Sequence, residues 1–169
     1  GAAAGASDSK LPDMQAGWEQ MNTNVMAGLS GLNMVYEAAG MHASLLGFCH
    51  ESLILGDDII GQALRCVRGI EVTDETLALD QMAQVCMGGP GHYLGTDQTL
   101  ARMQTDCVYP THGDRTSPKE WVELGKPDLI AKATARKTEI LGQRPPAALD
   151  AAADAAIRAR FNIHLPAWD

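Results

Sequence analysis

Two short apolar runs in this chain read as β-strands, Leu32–Ala38 and Ala43–Cys49, and both lie early in the sequence. The periodic stretches after them read as helix. Two strands joined through helical connections belong to a parallel α/β sheet, yet two parallel strands cannot form a sheet buried on both faces. Either partner chains complete the sheet, or the chain is the tail of a longer protein.

The helical pattern is marked by stripes and caps. The opening ten residues are Gly, Ala and Ser up to Asp8 and Lys10, a composition suited to backbone wedged against a neighbour or to a frayed end. A helix starts at Pro12, because Met14, Trp18, Met21, Val25 and Leu29 recur along one face, and that stripe is expected in the core. Gly28 and Gly31 mark its end. The run Leu32–Ala38 is then expected to lie parallel to a strand within Ala43–Cys49. Asp57 and Asp58 suit a helix N-terminus, with Ile60, Leu64 and Val67 as its stripe and Gly69 as its stop. Thr73 caps a helix that Gly88-Gly89 ends, and Thr96 caps a short one through Met103. Ser117-Pro118-Lys119-Glu120 carries capping-box spacing with Pro at the first helical position. Leu129–Leu141 is a further helix, closed by Gly142 and Pro145-Pro146, and a last one begins near Asp150. More than half of the chain is expected to be helix.

Composition narrows the function classes. A chain of 169 residues, 46% hydrophobic and 20% charged, supports one compact domain and excludes a disordered chain. Its 13 Lys+Arg against 21 Asp+Glu give a net charge of −8. Binding to nucleic acid through phosphate neutralisation needs the opposite balance, whereas cationic small molecules suit an acidic surface. Cys49, Cys66, Cys86 and Cys107 are scattered without a C-x-x-C pair, which fits buried thiols in a reducing cytoplasm. GAAAGASDSK has neither the basic start nor the apolar run of a secretory signal. The longest uncharged stretch, Gln20–Tyr36, carries Asn22, Thr23, Asn24, Ser30 and Asn33, so no membrane span is expected. Dinucleotide fingerprints, P-loops and serine nucleophile elbows are absent from the sequence. His92, Cys107 and His112 lack the short spacing of paired ligands, so no metal site is expected.

Several segments, in order along nearly the whole chain, carry a family resemblance. They are Ser7-Asp8-Ser9-Lys10-Leu11-Pro12-Asp13-Met14-Gln15-Ala16-Gly17, Tyr36-Glu37-Ala38-Ala39-Gly40-Met41-His42, Leu64-Arg65-Cys66-Val67-Arg68-Gly69-Ile70-Glu71-Val72 with Asp74-Glu75, Gly89-Pro90-Gly91-His92-Tyr93-Leu94-Gly95, and Asp114-Arg115 with Ser117-Pro118-Lys119-Glu120-Trp121. In these the chain resembles the trimethylamine methyltransferase family, which includes pyrrolysine-containing amine demethylases and pyrrolysine-free relatives acting on betaine-like amines. No residue here is written as pyrrolysine. The resemblance implies a (β/α)8 TIM-type barrel in a much longer chain. A complete barrel needs roughly 250 residues, so this chain is expected to be the C-terminal part: an α/β, mostly helical fold. On that reading residues 1–70 hold the last barrel βα units and residues 71–169 a helical extension, as one structural unit.

The implied reaction moves a methyl group from a tertiary or quaternary amine to the cobalt of a corrinoid carried by a separate partner protein. This chain is expected to bind no cofactor directly. Such chemistry calls for aromatic faces and carboxylates around a cation, at the C-terminal ends of barrel strands. Glu37 and His42 are the candidate catalytic residues, and Asp8, Tyr36 and Glu51 the candidate substrate-binding ones. Each has a plain structural reading beside it: a helix cap for Asp8 or Asp13, a buried aromatic for Tyr36, an ion-paired carboxylate for Glu37, a helix start for His50-Glu51. His92 sits in a turn made rigid by glycine and proline and is read as structural. A cut-open barrel exposes strand edges and apolar helix faces, so a homo-oligomer is expected. The other readings are a truncated, non-catalytic interaction module and a free-standing helical binding domain.

Overall fold

A computed structural model describes residues 1–143 and 149–165. It divides into two compact units, Gly1–Lys137 and Thr138–Asp169. The described residues are 54% helix with few strands, as the periodic stretches imply.

The chain opens with a short strand, β1 (Ala2–Ala3), followed by helix α1 (Met14–Leu29) and a second strand, β2 (Val35–Tyr36). β1 and β2 pair in parallel, with Ala2 opposite Val35 and Ala3 opposite Tyr36. The run 32–38 is thus a parallel strand, but its partner is the opening Ala stretch and not Ala43–Cys49. It is also short. Glu37 adopts a left-handed backbone (φ 60°), which ends β2 and turns the chain out of the sheet. Strands β3 (Met41–His42) and β4 (Gly47–Phe48) then form a separate antiparallel pair, so the expected parallel pairing within 43–49 is corrected. The first half of that run is the connecting turn, in which Ala43, Ser44 and Leu45 are all left-handed.

Helix α1 is capped by Asp13, which accepts from the Ala16 N–H at 3.0 Å. Its apolar stripe is not core: Met14 is 80% exposed, Trp18 58% and Leu29 60%, with Met21 and Val25 half-buried. The buried face is Ala16, Gln20, Asn24 and Ala27. Small and polar residues win there because backbone comes close. Asn24 Nδ2 donates to Ala38 O at 2.9 Å, and the Gly5 N–H donates to Thr23 Oγ1 at 2.9 Å. At Gly5 a Cβ would lie 2.1 Å from Ala38 O, and its φ of +79° also requires glycine.

Helix α2 (His50–Arg68) packs against α1 and starts well before Asp57-Asp58, which therefore lie inside it. Cys49 is its N-cap residue and Gly69, in a positive-φ conformation, its stop. Asp58 is used differently: its carboxylate accepts the backbone N–H groups of Thr111 (2.6 Å), His112 (2.9 Å) and Gly113 (2.9 Å). Burial pushes that carboxyl up, but the three N–H donors outweigh it and hold it below the ordinary aspartate value.

The following helices match their sequence signals closely. Thr73 caps α3 (Asp74–Leu77), and a left-handed Ala78 separates it from α4 (Leu79–Cys86), so one expected helix is two. Thr96 caps α5 (Asp97–Asp106), and Ser117 and Glu120 form a capping box at α6 (Pro118–Glu123). Helix α7 spans Leu129–Gly142; the prolines at 145 and 146 lie outside the described residues. In the second unit Asp150 caps α8 (Ala151–Arg160), accepting from the Ala153 N–H at 2.7 Å. The cysteines are not the buried thiols expected: Cys66, Cys86 and Cys107 are exposed and Cys49 half-buried. Among the described residues no helix is long and apolar enough to cross a membrane.

Candidate functional site

The C-terminal ends of the two parallel strands feed two loops, residues 4–13 and 37–49, and these loops are stitched together. The Ser7 N–H donates to Met41 O (3.0 Å), the Ala43 N–H to Ser9 O (3.0 Å) and the Ser44 N–H to Ser7 O (3.2 Å). Side chains extend the network. Glu19, on α1, accepts Ser7 Oγ at 2.6 Å, the Asp8 N–H at 2.9 Å and Gln15 Nε2 at 2.9 Å. The Ser7 hydroxyl foremost, then Gln15 and the Asp8 N–H, hold the Glu19 carboxyl below its ordinary value. Ser9 Oγ donates to Asp13 at 2.9 Å, and the Ala16 N–H foremost, then this hydroxyl, hold that carboxyl below its ordinary value.

Asp8 follows β1 and is exposed; one carboxylate oxygen accepts Ser44 Oγ at 2.7 Å. Its side chain is not the cap of α1, a part that Asp13 plays. Tyr36 ends β2 and is 49% exposed. Glu37 follows in the left-handed conformation, exposed, with no hydrogen-bond or ion-pair partner among the described residues. Asp8 and Glu37 therefore follow the C-terminal ends of neighbouring parallel strands, the end at which barrel enzymes place their reactive groups, whereas the hydroxyl end of the Tyr36 ring lies back against Gly1, ahead of β1.

His42 and Glu51 stand apart from that exposed group. His42 is buried, at 4% exposure, with Nδ1 3.2 Å from Ser9 O and Nε2 2.7 Å from Ser52 Oγ. A carbonyl only accepts, which puts the proton on Nδ1 and makes Ser52 the donor to Nε2. Both ring nitrogens are thus engaged in tying the 37–49 loop to Ser9 and to α2. Glu51, in the first turn of α2, is ion-paired with Lys137 and accepts Thr134 Oγ1 at 3.2 Å. The Lys137 ammonium lowers its carboxyl to about 2. That carboxylate is committed to α7.

The residues that build this end of the molecule but escaped the sequence reading are Ser7, Glu19, Ser44 and Ser52. Ser7 and Ser9 were visible only as a serine-rich approach to a helix. Glu19 lies away from the apolar stripe, so periodicity assigns it to solvent. Ser44 acts through three consecutive left-handed residues, a conformation costing roughly 1–2 kcal/mol per residue, and no glycine or asparagine announces it. Strain of this kind is held only where surrounding bonds over-determine it. Elsewhere in the first unit, a cavity of about 650 Å³ separates parts of α1 and α2, with Trp18, Gln20, Ser52 and Ile59 on its walls. No group of three or more His, Cys, Asp or Glu suited to holding a metal occurs among the described residues.

Comparison with known proteins agrees with the sequence resemblance. Residues 1–163 match the family described as Trimethylamine methyltransferase (MTTB). The glycine betaine methyltransferase of Desulfitobacterium hafniense (strain Y51) is 33% identical over 155 residues, which is 92% of this chain and 32% of that protein. The trimethylamine methyltransferase MttB of Desulfitobacterium hafniense (strain DSM 10664 / DCB-2) is 33% identical over 144 residues, 85% of this chain and 28% of that one. The trimethylamine methyltransferase MttB2 of Methanosarcina mazei is 36% identical over 149 residues, 85% of this chain and 29% of its own. The chain thus spans about a third of the length of these relatives. With its parallel strand pair, its mostly helical remainder and a match over nearly all of its length, the chain belongs to the trimethylamine methyltransferase family.

Proposed function

We propose that this chain is the C-terminal part of a (β/α)8-barrel methyltransferase whose complete form moves a methyl group from a tertiary or quaternary amine to the cobalt of a cognate corrinoid protein. In that reaction a tertiary amine would enter as its protonated cation and a quaternary amine as it stands, so that the electron pair of the broken methyl–nitrogen bond leaves a neutral amine; the partner's reduced corrinoid would supply the nucleophile. The methyltransferase has to bind the cation and aim one methyl. Asp8 and Glu37 provide the negative field and Tyr36 an aromatic face for the onium group. His42 and Glu51 are proposed as braces for the loops that carry them. The observation that carries this reading is that two exposed carboxylates, Asp8 and Glu37, follow the C-terminal ends of the parallel strands β1 and β2 in a chain of this family.

The relatives named for trimethylamine and for glycine betaine support a methylated-amine substrate. The exposed apolar residues of α1 support association, since surface of that kind is covered in stable assemblies; a homo-oligomer is proposed. They also suit the alternative of a truncated, non-catalytic module. The deciding experiment incubates the full-length polypeptide with its corrinoid protein and with trimethylamine or glycine betaine, and follows cobalt methylation by absorbance. Methylation that Asp8→Asn and Glu37→Gln weaken mainly through KM supports the reading. A folded full-length protein that methylates the corrinoid with neither amine overturns it.

A further inference from the structure

Asp8 is an exposed residue on a loop, yet three bonds fix it. Its N–H donates to Glu19 at 2.9 Å, its carbonyl accepts Lys10 Nζ at 2.8 Å, and its Oδ1 accepts Ser44 Oγ at 2.7 Å. The Lys10 ammonium is thereby engaged by main chain. Among the described residues the Asp8 carboxylate has no ion-pair partner, and Oδ2 accepts no hydrogen bond. Ser44 reaches Asp8 across 36 positions of sequence. It does so from the turn between β3 and β4, at φ 56°, with Ala43 and Leu45 left-handed on either side.

Glycine holds that conformation without strain and serine does not. Joining the two loops does not explain the serine, because main-chain bonds already join them: Ser7 N–H to Met41 O, Ala43 N–H to Ser9 O and Ser44 N–H to Ser7 O. A glycine at 44 would keep all three. It would lose the hydroxyl, whose one acceptor among the described residues is the Asp8 carboxylate. On the reading of Asp8 as part of the cation site, on which this inference rests, we propose that Ser44 is a positioning residue whose hydroxyl holds the Asp8 side chain in one rotamer and leaves Oδ2 free for a cationic amine. An aspartate without such a bond samples several staggered rotamers and loses that freedom when it binds. One held beforehand has lost it already on folding, so the cation meets a carboxylate that is set in place. The strain of the turn is then part of the site's preorganisation.

The test measures KM, kcat and melting temperature of the full-length polypeptide with its corrinoid protein and with trimethylamine or glycine betaine. The variants are Ser44→Ala, Ser44→Gly, Asp8→Asn and each Ser44 change combined with Asp8→Asn. Ser44→Ala and Ser44→Gly both lack the hydroxyl and differ in backbone freedom, so an effect common to both belongs to the hydroxyl. Each should raise KM about fivefold, the worth of one hydrogen bond, with the change in KM and not in kcat. Ser44→Gly should melt no lower than the parent, since glycine relieves the left-handed strain. In the Asp8→Asn background neither change should raise KM further. Asp8→Asn that raises KM while either Ser44 variant keeps the parental value would overturn the positioning role and leave the cation site standing. A KM rise that persists undiminished in the Asp8→Asn background, or a Ser44→Gly protein that melts below the parent with kcat falling alongside, would show a loop staple and overturn it too. Asp8→Asn with the parental KM would overturn both the positioning role and the placement of the cation at Asp8.

Discussion

The segment up to Gly69 and the helices from Asp74 to Lys137 are held together by different means. Among the described residues the first contains every buried polar one: Ser7, Ser9, Gln20, Asn24, His42 and Ser52. Beyond Gly69 the buried positions among the described residues are Val85 and Ala133. Large apolar side chains are not what fills either part, since the buried hydrophobic residues among those described are five alanines and one valine. The early segment is fixed by directional bonds between loops and strand ends; the later helices are fixed by their own caps and by single anchors such as Asp58. The polar, over-determined region holds a run of left-handed residues at Ala43–Leu45 besides Glu37, whereas the locally capped helices carry single ones, at Ala78 and Lys126.

The largest effect is expected at the centre of the polar region. His42→Ala should cost about 3 kcal/mol in urea unfolding, because it leaves the Ser52 hydroxyl without its partner and removes a buried ring, while Ser9 O keeps only the Ala43 N–H. A loss below about 1 kcal/mol would erase the contrast between the two segments. Next comes the anchor that joins them. Asp58→Ala should cost about 2 kcal/mol by freeing three N–H groups, and hydrogen exchange should accelerate at Thr111, His112 and Gly113 in particular. Uniform acceleration across α2 instead would mean that Asp58 supports the helix and not the loop.

A pH profile gives the third comparison. Glu51 has its carboxyl lowered to about 2 by Lys137, so it binds its proton more weakly folded than unfolded. The stability this pair contributes is fully present above the unfolded value of 4.5 and is lost as pH falls toward 2. Glu51→Gln should flatten the melting-temperature profile across that window and leave its shape above pH 6 unchanged. An unaltered acid limb would place the acid sensitivity on Glu19 or Asp13. The smallest change is expected on the outward face of α1, where Trp18→Gln should shift the stability of this chain by no more than about 0.5 kcal/mol. A larger loss would show that the face is covered, and sedimentation of the variant against the parent would then identify self-association as the cover.

Local signals were legible. Ser117 and Glu120, Thr73, Thr96, Asp150 and Gly69 mark helix ends in the sequence and do so in the fold, because a cap is satisfied by backbone within one turn and needs no distant partner. The strand character within 32–38 could likewise be read from a short apolar run. The stripe of α1 could not. Periodicity reports that Met14, Trp18 and Leu29 share a face but not which face meets the strands, and that was decided by the close backbone approach at Gly5, Thr23, Asn24 and Ala38.

What the sequence determined by itself, then, was helix content, helix ends and family, all of which depend on neighbours along the chain or on order along it. Strand pairing, the use of Asp58 as a loop anchor, the burial of His42 between Ser9 and Ser52, and the pairing of Glu51 with Lys137 were decided by tertiary structure. Each joins residues separated by 10 to 86 positions. A bond of that span forms only when the fold closes the intervening loop, so nothing in the local pattern on either side encodes it.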